Sequence, residues 1–158
     1  MNSIDIELIH MAVQQARDAR KAGNHPFGAV LADRQGHALL QAGNSVSTDN
    51  DCTAHAETNL VRLASKTYDT GFLSTCTLYS SAEPCAMCSG AIYWSGIGRV
   101  VFALSETALK KITGSDPENP TLDLPCREVF ARGQRTVEVE GPVDIPGASE
   151  IHDGFWNK

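Results

Sequence analysis

The sequence lacks long apolar runs, clustered positive charge and repetition. No stretch approaches the ~20 apolar residues that cross a bilayer. The opening Met1-Asn2-Ser3-Ile4-Asp5 has neither the basic stretch nor the apolar segment of a secretory signal, so a cytoplasmic protein is the expectation. Thirteen basic residues face 19 acidic ones, for a net charge of −6, and the longest basic runs are the pairs Arg20-Lys21 and Lys110-Lys111. Polyanion binding depends on Lys and Arg neutralising phosphates. Nucleic acid is therefore a disfavoured partner, and a small neutral ligand suits this balance better. There is no internal repeat or low-complexity segment.

Disulfides are also disfavoured. An odd number of cysteines, five, without an export signal argues against a disulfide framework and for metal binding or burial. Cys76, in the apolar "CTLY", reads as core. Cys126 receives no role, and Cys52 lies near enough to His55 to line a site, although burial is the simpler reading. With 158 residues, 42% of them hydrophobic, the chain fits one domain over 1–158.

Helical spacing runs from Ile6 through Ile9, Val13 and Ala16, and Gly23-Asn24 ends it. "FGAVLA" (27–32) reads as a buried strand, "DRQG" as a turn and 37–44 as the returning strand. A polar loop leads into "AHAETNLVRLA", whose Leu60, Leu63 and Ala64 carry a helical period. Strands are predicted over 76–82, 99–104 and 136–143. Helices are predicted over 84–94, with proline at its start, around 106–112 and around 127–132. A proline-containing loop spans 113–125. Strands alternating with helices indicate an α/β layered fold.

Two motifs carry chemistry: "HAE" (55–57) and "PCAMC" (84–88). Both fall where a loop enters a helix, where unpaired N–H groups and the positive dipole end stabilise thiolates. Cys85 and Cys88, at i and i+3, share one helical face, and His55 joins them if the two helices lie side by side. Three protein ligands leave a tetrahedral metal one open position, as in catalytic zinc sites. A fourth ligand from Cys52, His25 or His37 would make the site structural instead. Zinc lowers the pKa of a water that it holds to about 7, so Glu57 can take the proton and later deliver it. An acidic residue in a helical first turn is otherwise ordinary; two places after a metal histidine, the catalytic reading prevails.

H-x-E followed by P-C-x-x-C is the pattern of zinc base deaminases. The blocks "HPFGAVLAD", "GNSVSTDNDCTAHAET" and "LYSSAEPCAMCSGAIYWSGIGRVVFA" resemble, in order, those of the cytidine deaminase-like superfamily. The resemblance is to its branch of guanine, cytosine and tRNA adenosine deaminases, and it covers about residues 24–103. It implies a three-layer α/β/α sandwich around a five-stranded mixed sheet, one Zn2+ per chain and a homodimer. It assigns His55, Cys85 and Cys88 to zinc and Glu57 to proton transfer. Asn44 matches an asparagine that bonds the base, although asparagine is also common in turns at strand ends. Phe27 matches a residue against the flat face of the base, where an aromatic can stack or serve as core. Backbone N–H groups of Ala56 and Cys85, at helix starts, are also expected to contact the base and its developing charge.

Guanine-type relatives use an acidic residue after the fourth strand as a further proton shuttle, for which Asp116 is the nearest match, unless it is a solvated loop residue. Phe155 and Trp156 form a lid over the base or dock on the core. The expected substrate is a free nucleobase or nucleoside of the guanine type. Cytosine or another aminopyrimidine or aminotriazine ranks second and tRNA adenosine third. A non-catalytic zinc protein of the same fold is the alternative of another class.

Overall fold

The computed structural model describes residues 1–157. Its first helix, α1 (Ser3–Lys21), begins earlier than the apolar spacing predicts, because Asn2 builds a capping box. The Asn2 side chain accepts the Asp5 N–H at 2.9 Å, and Asp5 accepts the Asn2 N–H at 3.1 Å, so two exposed donors of the first turn are satisfied. Next come β1 (Gly28–Ala32), β2 (Ala38–Gly43), the short α2 (Val46–Asp49) and α3 (Ala56–Thr67). The middle of the chain holds α4 (Thr70–Leu73), β3 (Thr77–Ala82), α5 (Ala86–Ser95) and β4 (Arg99–Leu104). The remainder supplies α6 (Glu106–Thr113), α7 (Cys126–Ala131), β5 (Glu138–Glu140) and α8 (Pro146–Glu150). Three single-turn helices, α2, α4 and α8, are too short to leave a periodic signal in the sequence.

The five strands form one sheet in the order β2-β1-β3-β4-β5. β1 runs antiparallel to both β2 and β3, whereas β3, β4 and β5 are parallel, so the mixed sheet expected from the resemblance is present. β5 is three residues long, shorter than the eight predicted over 136–143. Pro142 lacks the N–H that a ladder requires, so the regular pairing stops before it, and beyond it the Val143 N–H reaches the Phe102 carbonyl at 3.1 Å.

Alternation along the buried strands builds two cores. Ala29 and Leu31 of β1 and Leu78 of β3 pack with Leu60 of α3, Ile92 of α5 and Phe130 of α7. Val30, Ala32 and Tyr79 face the other way, against Leu8, Ile9 and Val13 of α1 and Ala148 of α8. A sheet covered on both faces is the three-layer arrangement. Gly28 is needed where α1 crosses β1, because a Cβ there would overlap the Ala12 carbonyl oxygen. Among the described residues no helix is long and apolar enough to cross a membrane.

Candidate active site

α3 and α5 share one face of the sheet, and their first turns define the site. His55 and Cys85 are the N-cap residues of these helices, yet neither side chain makes a capping bond. Both are therefore available to each other. The His55 Nδ1 lies 3.5 Å from the Cys85 Sγ and 3.6 Å from the Cys88 Sγ. The three donor atoms lie within 4.8 Å of one another, and Cys52, His25 and His37 are not part of the group. His37 is instead exposed and paired with Asp33 at 3.1 Å. One borderline imidazole and two soft sulfurs form a donor set matched to zinc.

The local electrostatics suit a cation. The Cys85 thiol is held well below the usual thiol range, first by the Cys88 S–H that donates to it and also by His55. The Thr58 hydroxyl lies 3.2 Å from the Cys88 sulfur and orients it. Glu57 is buried in the first turn of α3. Its burial, and then the Cys85 sulfur, push its carboxyl up to about 7, against the pull of His55.

His55, Glu57 and Cys85 open onto a cavity of about 320 Å3. Asn44 and Phe27 also line it. The Asn44 side-chain oxygen accepts the Val46 N–H at 3.0 Å, which leaves its amide N–H groups as the donors for a ligand. Phe27 lies just before β1 rather than within it. Ala56 is fully buried at the start of α3, and its side chain is not in the cavity wall.

Asp116 and the tail aromatics, expected to contact the substrate directly, are not in the lining of this cavity. Asp116 is buried, and its carboxylate accepts the Glu118 N–H at 2.9 Å and the Asn157 N–H at 2.5 Å. It is an anchor between loop and tail, neither solvated nor in the cavity lining. Phe155 and Trp156 are docked on the protein, edge-on to His25 with centroids 5.8 and 5.2 Å away. The Trp156 Nε1 donates to the His152 Nδ1 at 3.0 Å. His25 does line the cavity, so these rings brace a wall residue instead of covering a ligand.

Sequence reasoning missed three carboxyls at the site. Glu83 directly precedes the PCAMC segment, and its Oε1 and Oε2 accept the backbone N–H groups of Glu106 at 2.9 Å and Cys126 at 2.8 Å. One side chain thereby ties the starts of α6 and α7 to the loop that carries Cys85. Glu106 itself lines the cavity, and so does Glu118. Glu83 and Glu106 lie just past the carboxyl ends of parallel β3 and β4, where open α/β sheets place ligands. That position was the available signal.

Comparison with known proteins accords with this geometry. Residues 2–104 match the profile of the cytidine and deoxycytidylate deaminase zinc-binding region. A probable cytosine deaminase of Schizosaccharomyces pombe is 42% identical over 153 residues, 97% of this chain and 93% of that protein. Guanine deaminase of Bacillus subtilis is 43% identical over 97 residues, 61% of this chain and 62% of that protein. A solved guanine deaminase of Nitrosomonas europaea superposes with a TM-score of 0.75 at 28% identity, covering 92% of this chain and 80% of that one. Fold and relatives together define a zinc-dependent deaminase, a hydrolase of C–N bonds. The chain belongs to the cytidine and deoxycytidylate deaminase family.

Proposed function

We propose that this protein hydrolyses the exocyclic amine of a guanine-type nucleobase or nucleoside and releases ammonia. The observation that carries the reading is a single cavity that collects His55, Cys85, Glu57 and Asn44, with Cys88 completing the metal-ligand trio behind Cys85. His55, Cys85 and Cys88 would hold the zinc, which when bound would supply Lewis acidity and water activated near neutral pH. Glu57 accepts a proton from the attacking water and passes it to the ring nitrogen beside the amine-bearing carbon. It then moves the second water proton to the departing amine, so that ammonia leaves and a carbonyl remains. Asn44 orients the ring by donating to an acceptor on its edge. The N–H groups at the starts of α3 and α5, including those of Ala56 and Cys85, favour negative charge developing there.

The guanine preference is supported by the carboxyl groups of Glu57, Glu106 and Glu118 in one cavity wall. Guanine presents more N–H donors to such acceptors than cytosine does. The Nitrosomonas europaea guanine deaminase also matches most of the chain. Cytosine is the second reading, supported by the Schizosaccharomyces pombe relative, which aligns over nearly its full length. The net charge of −6 weighs against a tRNA substrate. A homodimer is part of the proposal and is tested by light scattering.

The deciding experiment offers the zinc-loaded protein guanine, guanosine, cytosine, adenine, ammeline and tRNA, with ammonia release as readout. Fastest turnover on guanine or guanosine is expected. Turnover on cytosine alone would move the assignment to the second reading, and no turnover on any of the six would overturn it.

A further inference from the structure

Glu106 is the first residue of α6 and one of the most deeply buried charged side chains in the protein, at 4% exposure. Its backbone N–H is spent on Glu83, but its carboxyl is not: Oε2 is enclosed and has no hydrogen-bond partner among the described residues. Among the described residues no lysine or arginine forms an ion pair with it. A buried carboxyl without a partner is costly, and native structures rarely leave one without a reason. The same side chain lines the cavity that contains Glu57, Asn44 and Cys85. The missing partner is thus expected from whatever fills that cavity.

Each protein group already assigned to the base has its own task. Glu57 serves the amine and the ring nitrogen beside it, and Asn44 is a donor, which leaves N–H groups elsewhere on the ring to Glu106 and to Glu118, and Glu118 is exposed and faces His25 at 3.8 Å. A carboxyl keeps an acceptor oxygen in either protonation state. We propose that Glu106 selects free nucleobases over nucleosides, its carboxyl accepting the ring N–H that in a nucleoside is replaced by the bond to the sugar. This rests on the deaminase reading above and narrows its substrate class. A nucleoside offers no hydrogen there, so it would leave the buried carboxyl unpaired and push its sugar against that wall. Sites built to bond an N–H reject analogues that lack it more strongly than apolar pockets reject an added group.

The test compares guanine with guanosine, and cytosine with cytidine, on the unmodified protein and on Glu106→Leu and Glu106→Gln. The unmodified protein is expected to favour each free base. Glu106→Leu should lower kcat/KM for the base by roughly 10- to 100-fold, the cost of leaving a buried N–H without its acceptor. The loss should fall mainly on KM, with little change for the nucleoside. Glu106→Gln keeps a carbonyl acceptor and should keep most of the preference, at unchanged zinc content and Tm. Equal loss for base and nucleoside in the leucine variant, or an unmodified protein that favours nucleosides, would overturn the inference while leaving the deaminase reading intact.

Calorimetric binding of the same pairs to Glu57→Gln and Glu57→Gln/Glu106→Leu reads the contact without turnover. Weaker base binding in the double variant supports the contact even if no ammonia release is found. Identical binding in the two proteins removes it.

Discussion

The two ends of parallel strands β3 and β4 treat buried charge in opposite ways. At their amino ends Asp5 is fully satisfied. The Tyr79 hydroxyl donates to it at 2.6 Å, and Arg99 donates at 3.0 and 3.2 Å while also reaching Glu140 at 3.0 Å. Burial alone would raise the Asp5 pKa, yet the Arg99 and Tyr79 bonds hold it at about 2. At the carboxyl ends, Glu57, Glu83 and Glu106 gather with no lysine or arginine in an ion pair with any of them among the described residues. Burial first, then the Cys85 sulfur and the neighbouring Glu83 and Glu57, push Glu106 up to about 8. One end is a finished structural network. The other is left incomplete, the arrangement expected where a cation and a ligand complete it.

Substitutions at the two ends should therefore separate activity from stability. The largest effect is expected from Glu57→Gln, which removes the proton carrier and should lower turnover by roughly 10²- to 10⁴-fold. Zinc content and Tm should stay near those of the unmodified protein. Full activity in this variant, measured by ammonia release, would erase the functional half of the contrast.

Cys88→Ser should lose bound zinc and lower Tm, because binding free energy at such a site is also folding free energy. Metal analysis and thermal unfolding measure the two together. Arg99→Leu belongs to the structural end. It removes the charged partner of the Asp5 carboxylate, leaving the Tyr79 and Asn2 donors, and about 3 kcal/mol of destabilisation is expected. Denaturant unfolding reads that loss, while kcat/KM of the zinc-loaded protein should be unchanged. A fall in kcat/KM without lost stability would dissolve the distinction between the ends.

The smallest effect is a pH dependence. Because the folded Asp5 pKa lies below its ordinary value of 3.8, its contribution is present above pH 3.8. That contribution, on the order of 2 kcal/mol, disappears as pH falls from 3.8 toward 2. Unfolding curves at pH 5 and pH 3 should show it in the unmodified protein and not in Asp5→Asn. An equal pH dependence in both would assign the effect to other groups.

Motifs near a helix start were legible because their chemistry is local. His55, Glu57, Cys85 and Cys88 announce themselves by spacing, and the strands 28–32, 77–82 and 99–104 by apolar runs. Residues 106–157 were harder to read. The loop that carries Glu118 walls the cavity while Asp116, two residues earlier, is consumed by the tail. Both are acidic residues in a polar segment, and no periodicity distinguishes them. Phe155 and Trp156 announced burial by their size but not which surface they would cover.

The sequence by itself determined the metal chemistry, since two thiols at one helical turn and an imidazole before a carboxylate are properties of neighbouring residues. Only the tertiary structure decided which distant side chains share the cavity. Glu83 bonds Glu106 and Cys126 across 23 and 43 residues, and Asn157 reaches Asp116 across 41. Such contacts are set by how helices pack on the sheet, and packing depends on the whole chain at once.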